Sequence, residues 1–115
     1  MRLTSPFMLR KVQGHSMLPV LPPGTLVWGL CWFWRLKPNK VVIAEHNGRE
    51  IVKRIDDIRP EGLFLIGDHP EASTDSRHYG VVAVEMVKAV VVWPRVNRVL
   101  AQSSDVTVRQ KDNVT

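Results

Sequence analysis

The stretch Lys40-Val41-Val42-Ile43-Ala44-Glu45-His46-Asn47-Gly48-Arg49-Glu50-Ile51-Val52-Lys53-Arg54-Ile55 decides the fold. Asn47-Gly48 separates two runs rich in β-branched residues, and Asn-Gly is the pair best suited to the two positive φ angles of a type I′ hairpin turn. An antiparallel hairpin is therefore predicted, with strands over Lys40 to His46 and Glu50 to Ile55. Outward from it, glycine and proline punctuate the chain at short intervals, and the segments between them favour valine, isoleucine and other strand formers. Further strands are predicted over Leu26 to Leu30, Leu63 to Ile66 and Val81 to Val92, with turns at Pro38-Asn39 and Pro60-Glu61-Gly62. The fold class that follows is all-β, mainly antiparallel, with little helix.

A chain of 115 residues has apolar side chains for one core and hence one domain. That domain is predicted over residues 1–95. Beyond Pro94 the apolar patterning fades into Ser103-Ser104-Asp105 and Arg109-Gln110-Lys111-Asp112, so residues 96–115 read as a flexible C-terminal tail. The net charge of +5 raises the question of nucleic acid, but the Lys and Arg residues are scattered, with no basic run and no reading helix. A solvated basic surface is the expectation, and an acidic membrane surface is the second. Cys31, the single cysteine, lies in the apolar run Leu30-Cys31-Trp32-Phe33-Trp34 and reads as a buried small hydrophobe. The most apolar stretch, Val20 to Leu36, is broken by Pro22, Pro23, Gly24 and Gly29, so no bilayer span is predicted, and Met1 to Lys11 lacks the apolar stretch of a secretory signal. The expected location is cytoplasmic, with peripheral membrane contact as the variant reading.

Three segments concentrate chemistry. In Gly14-His15-Ser16-Met17-Leu18-Pro19, a glycine permits a sharp turn and a proline stops any helix, a setting that presents the Ser16 hydroxyl beside free amides. In Ile51-Val52-Lys53-Arg54-Ile55, alternation puts Lys53 on the face of Ile51 and Ile55. Poor hydration there disfavours the ammonium, and a neutral amine is the form that can take a proton from a serine. Arg54, on the opposite face, reads as a surface charge. Gly67 to Gly80 is polar and turn-rich and reads as a surface loop. Within it Asp75 and Arg77 form the expected ion pair, Asp68 is an acceptor for backbone amides, and Ser73 or Ser76 reaches a neighbouring lysine.

Together these segments resemble the type I signal peptidases, whose serine box, lysine box and Gly-Asp…Ser-x-Asp-Ser-Arg box occur in this order. The likeness runs from about Gly14 to Pro94. It implies that Ser16 is the nucleophile, that Lys53 is general base and then general acid, and that Ser73 orients the Lys53 amine while Asp75, Arg77 and Asp68 hold the loop. It also implies the β-rich domain shared with the LexA-type self-cleaving repressors, a peptide substrate bound as an extended strand, and small residues on the acyl side of the cut. Two positions depart from the pattern. His69 stands where asparagine is usual, and Gly14 stands where many members carry a second serine, which leaves the Ser16 amide to serve the oxyanion. Only fifteen residues precede Ser16, none of them a spanning segment. A short, anchorless form is similar to the maturation proteases for nickel-type superoxide dismutase, which remove an N-terminal extension from a precursor.

The alternative within the class is a membrane-peripheral signal peptidase in which Trp28, Trp32, Phe33 and Trp34 dock onto lipid headgroups; such aromatics otherwise serve as core or groove wall. Outside it stands a non-catalytic peptide-binding module of the same fold. A LexA-type regulator needs a DNA-binding domain for which the chain has no room. His15 adjoins Ser16, but adjacent side chains in an extended segment point apart. His46, His69 and His78 lack metal-ligand spacing and read as surface or loop residues, so no metal and no cofactor is expected.

Overall fold

A computed structural model describes residues 6–33 and 35–96. Trp34 and all but the first residue of the expected tail lie outside the described residues. The strands are β1 (Phe7–Lys11), β2 (Leu26–Leu30), β3 (Val41–His46), β4 (Arg49–Arg59), β5 (Gly62–Ile66) and β6 (Val87–Trp93), with one four-residue helix, α1 (Ser76–Tyr79). They form a single sheet in the order β1-β2-β6-β3-β4-β5, with every adjacent pair antiparallel.

The hairpin forms as predicted. Asn47 and Gly48 have φ of 53° and 77°, and the register runs from His46↔Arg49 to Val41↔Arg54. Val41, Val42, Ile43 and Ala44 are all buried because both faces of β3 are covered. Val41 and Ile43 join Val12, Met17, Leu21, Val27, Ala89 and Val91 in one core. Val42 and Ala44 join Ile55, Leu63, Leu65, Val82 and Val87 in the other. A strand covered on both faces reads as a continuous apolar run rather than an alternating one.

The sheet is strongly curled. In a flat sheet β1 and β4, four strands apart in order, would be separated by about 19 Å at the usual spacing. Instead Arg10 Nε of β1 lies 2.5 Å from Glu50 Oε1 of β4. Gly29 permits part of this closure, since a Cβ there would lie 2.8 Å from that of Ala89 on the neighbouring strand.

Four expectations are corrected. β1 was not foreseen, because Phe7, Met8 and Leu9 are consecutive apolar residues that hide the alternation, although Phe7 and Leu9 point outward and Met8 packs against the core. β4 runs on to Arg59, trading β3 for β5 as its partner at Arg54. Val81 to Val92 is not one strand: Val82 makes an isolated bridge to Leu63, a short turn of 3₁₀-helix covers Val84–Met86, and only then does β6 begin. The segment from Gly67 to Gly80 is not a mere surface loop, since Gly67, Ser73, Asp75 and Ser76 are buried and α1 lies within it.

Candidate active site

Ser16 occupies a corner of a tight turn closed by the Leu18 amide donating to the His15 carbonyl at 3.2 Å. Met17, the next residue, is buried in the first core and pins the turn, while Ser16 itself stays half-buried. The Ser16 carbonyl accepts from the His69 amide at 2.8 Å, and its hydroxyl makes no hydrogen bond to another described residue. Gly14 begins the turn with φ of 78°, a left-handed geometry that suits glycine.

Lys53 is only 5% exposed. It stands where β4 changes partners, opposite Val42 of β3. Burial pushes its pKa down; the charge of Asp75 pushes it up and that of Arg77 pushes it down again, with a net lowering. Its Nζ donates to Ser73 Oγ at 3.0 Å, and Ser73 Oγ donates to Asp75 Oδ2 at 2.5 Å. One amine hydrogen is thereby fixed in direction, which in the neutral form leaves the lone pair to point elsewhere.

Asp75 is the hub of the loop. Burial works against its charge, but hydrogen bonds from Arg77, from Ser73 and from the Gly67 amide outweigh that cost and hold its carboxyl well below the ordinary carboxylate range. The Arg77 side chain donates to both carboxylate oxygens, and its own pKa is raised by that bond. Asp75 also caps α1 by accepting from the Arg77 amide at 3.1 Å, while the His78 ring accepts from the Asp75 amide. The expected Asp75–Arg77 pair is therefore present with a second role, helix capping, for which the sequence Asp75-Ser76-Arg77-His78 carried a signal.

Two expectations change. Arg54 is not a surface charge: it is fully buried, because the chain beyond β6 and the turn at Asn39 cover its face of β4. Its guanidinium donates to both oxygens of Asp68, at 2.8 and 2.7 Å, and to the carbonyls of Asn39 and Val96. Asp68 consequently serves Arg54 rather than backbone amides. Of the two candidate serines, Ser73 meets Lys53, whereas Ser76 Oγ accepts from the Leu65 amide at 2.8 Å.

Gly67 joins these pieces. A Cβ on it would meet Ser73 Oγ, and would lie 2.6 Å from the Ser16 carbonyl oxygen. The bare backbone at residue 67 therefore lets the serine turn and the Ser73 loop close on one another. Ser16 and Lys53 open onto one cleft of about 490 Å³, walled by Val12, Met17, Glu50 and Ile51. From Arg49 to Lys53 strand β4 pairs only with β3, so its other backbone edge faces this cleft. A hollow of about 600 Å³ beside Pro38, Val90 and Arg95 has no serine, threonine or cysteine in its lining.

No protein-family model matches the chain, and no curated protein matches it.

The remaining expected groups sit apart from this chemistry. His15 is exposed, and His46 stacks on Tyr79 with ring centroids 3.9 Å apart, a half-buried rather than a surface position. Among the described residues no group of three His, Cys, Asp or Glu side chains is placed to hold a metal ion. No helix among them is long and apolar enough to cross a membrane. Trp28 and Trp32 are exposed, which corrects their reading as core or groove wall, whereas Phe33 packs against the second core.

Proposed function

We propose that the protein is a serine endopeptidase of the type I signal peptidase kind, with Ser16 as nucleophile and Lys53 as its base. The observation that carries this reading is the buried Lys53 amine, held by Ser73 on the wall of the cleft onto which Ser16 also opens. A buried lysine with a lowered pKa, next to a serine turn, is the combination that lysine-activated acyl transfer requires.

In the proposed reaction neutral Lys53 accepts the Ser16 proton as Oγ bonds to the scissile carbonyl carbon. The resulting oxyanion faces the Ser16 amide. Lys53, now an ammonium, gives its proton to the departing amine nitrogen as the C–N bond breaks. Water then attacks the acyl-serine with Lys53 again as base, and the proton finally returns to Ser16 Oγ. Ser73 orients the amine throughout, and Asp75 with Arg77 fixes Ser73.

The substrate in this reading is an extended segment of a precursor protein, paired with the open edge of β4 between Arg49 and Lys53. Removal of an N-terminal extension, with the precursor of a nickel-type superoxide dismutase as the preferred candidate, fits a compact site of this kind. Gly14 brings no side-chain donor to the oxyanion, so turnover is expected to be slow or narrowly directed.

The test is cleavage of that precursor and of a secretory preprotein by the wild type and by Ser16→Ala and Lys53→Ala. Cutting after a small residue by the wild type alone supports the dyad, and the preferred precursor decides the subfamily. Cleavage that survives in either variant overturns the mechanism. Binding of precursor without cleavage by the wild type would instead favour a peptide-binding module.

A further inference from the structure

The cleft that Ser16 and Lys53 share is also lined by Arg10, Lys11, Arg49 and Glu50. Glu50 supplies the one carboxylate of that lining, and it is already committed: it accepts from Arg10 Nε at 2.5 Å and from Lys88 Nζ at 3.1 Å. Glu45, opposite Glu50 on β3, is held in turn by Lys88 at 3.4 Å. Arg10 and Glu50 therefore cancel, and Lys53 is neutral in the form that serves as a base. Two cations remain, Lys11 and Arg49. Both are exposed, and neither makes an ion pair or a side-chain hydrogen bond among the described residues.

Their placement follows from the two strands that wall the cleft. Lys11 belongs to β1 and Arg49 to β4, and the contact of Arg10 with Glu50 brings those walls together beside them. From Arg49 to Lys53 strand β4 is regular, pairing residue for residue with β3, so Arg49 stands about 13 Å along the edge from Lys53. An extended chain paired with that edge has the same rise per residue. A substrate residue about four positions from the scissile bond therefore comes level with Arg49.

We propose that the cleft selects precursors with an aspartate or glutamate about four residues from the cut, whose carboxylate meets Arg49 and Lys11. This rests on the peptidase reading given above and adds a charge requirement to it. Unpaired cations beside a bound chain favour the opposite charge and repel a lysine or arginine at the same point. Arginine adds a planar fork that matches both oxygens of a carboxylate. A nucleic acid fits the same charge poorly, because two free cations neutralise few phosphates, whereas the open edge of β4 offers partners to peptide groups.

The experiment is a charge scan of the substrate. Peptides with alanine before the cut carry Asp, Asn or Lys at each other position in turn, and kcat/KM is measured with the full chain at low and high salt. At one position about four residues from the cut, Asp is expected to exceed Asn by about 3- to 10-fold and Lys by more, with the gap shrinking as salt rises. Lys11→Glu combined with Arg49→Glu reverses the order at that position; if that pair disturbs folding, Lys11→Gln with Arg49→Gln flattens it. A flat scan, or a preference unchanged in a folded variant, overturns the proposal while Ser16-dependent cutting stands. Failure of the peptidase reading looks different: no peptide is cut, or Ser16→Ala cuts as well. Fluorescence anisotropy of the same peptides, labelled, then decides the selection on its own. Tighter binding of the Asp peptide than of the Lys peptide upholds it, and equal binding or none overturns it.

Discussion

Lys53 and Ser73, twenty positions apart, meet through a 3.0 Å hydrogen bond in which the amine donates to a hydroxyl already committed to Asp75. The direction of this relay matters. Because Ser73 gives its own hydrogen to Asp75, it presents only lone pairs to Lys53, and the amine is oriented by donation rather than consumed as an acceptor.

Removing that acceptor should cost turnover more than binding. Ser73→Ala is expected to lower kcat about 10- to 100-fold, the scale of losing one orienting contact on a general base, with KM little changed. Steady-state kinetics on a precursor peptide check this; an unchanged kcat would show that Lys53 needs no help from Ser73.

The pH profile should move in opposite directions when the two charges near Lys53 are neutralised. Asp75 raises the Lys53 pKa and Arg77 lowers it. Asp75→Asn therefore makes the neutral amine available at lower pH and shifts the ascending limb of activity toward acid, while Arg77→Gln shifts it toward alkali. The measurement is kcat/KM against pH for both variants, and parallel shifts would contradict the assignment of Lys53 as the base.

Gly67→Ala tests the junction between the serine turn and the Ser73 loop. The added methyl would sit 2.6 Å from the Ser16 carbonyl oxygen, so one of the two segments must retreat. A stability loss of about 1–3 kcal/mol is expected from overpacking, together with lost activity. Denaturant unfolding gives the first, and a titration with a serine-directed reagent gives the second.

Arg54→Leu should be among the most damaging substitutions in the chain. It leaves Asp68, 6% exposed, without the guanidinium that neutralises it, a situation that costs roughly 3–5 kcal/mol. Arg54→Lys keeps the charge but loses the two-pronged contact, and should fall between the two. Thermal unfolding of the three proteins gives the order.

How much of this was legible in the sequence follows from the range of each interaction. The Asn47-Gly48 hairpin was, because turn geometry is fixed by adjacent residues, and so was the β class, because strand formers recur between turn formers. Lys53 on the apolar face was legible from alternation with Ile51 and Ile55, and the Asp75–Arg77 pair from two residues only two positions apart. Arg54 was not. Alternation assigns it to the face opposite Lys53, but whether that face meets water depends on Asp68, Asn39 and Val96, residues distant in the chain that tertiary packing brings over it. The choice of Ser73 over Ser76, the meeting of the serine turn with the loop at Gly67 and the outward turn of Trp28 and Trp93 are of the same kind. Each is a long-range contact, decided by how a curled sheet closes on itself, and local sequence determines only the pieces that closure brings together.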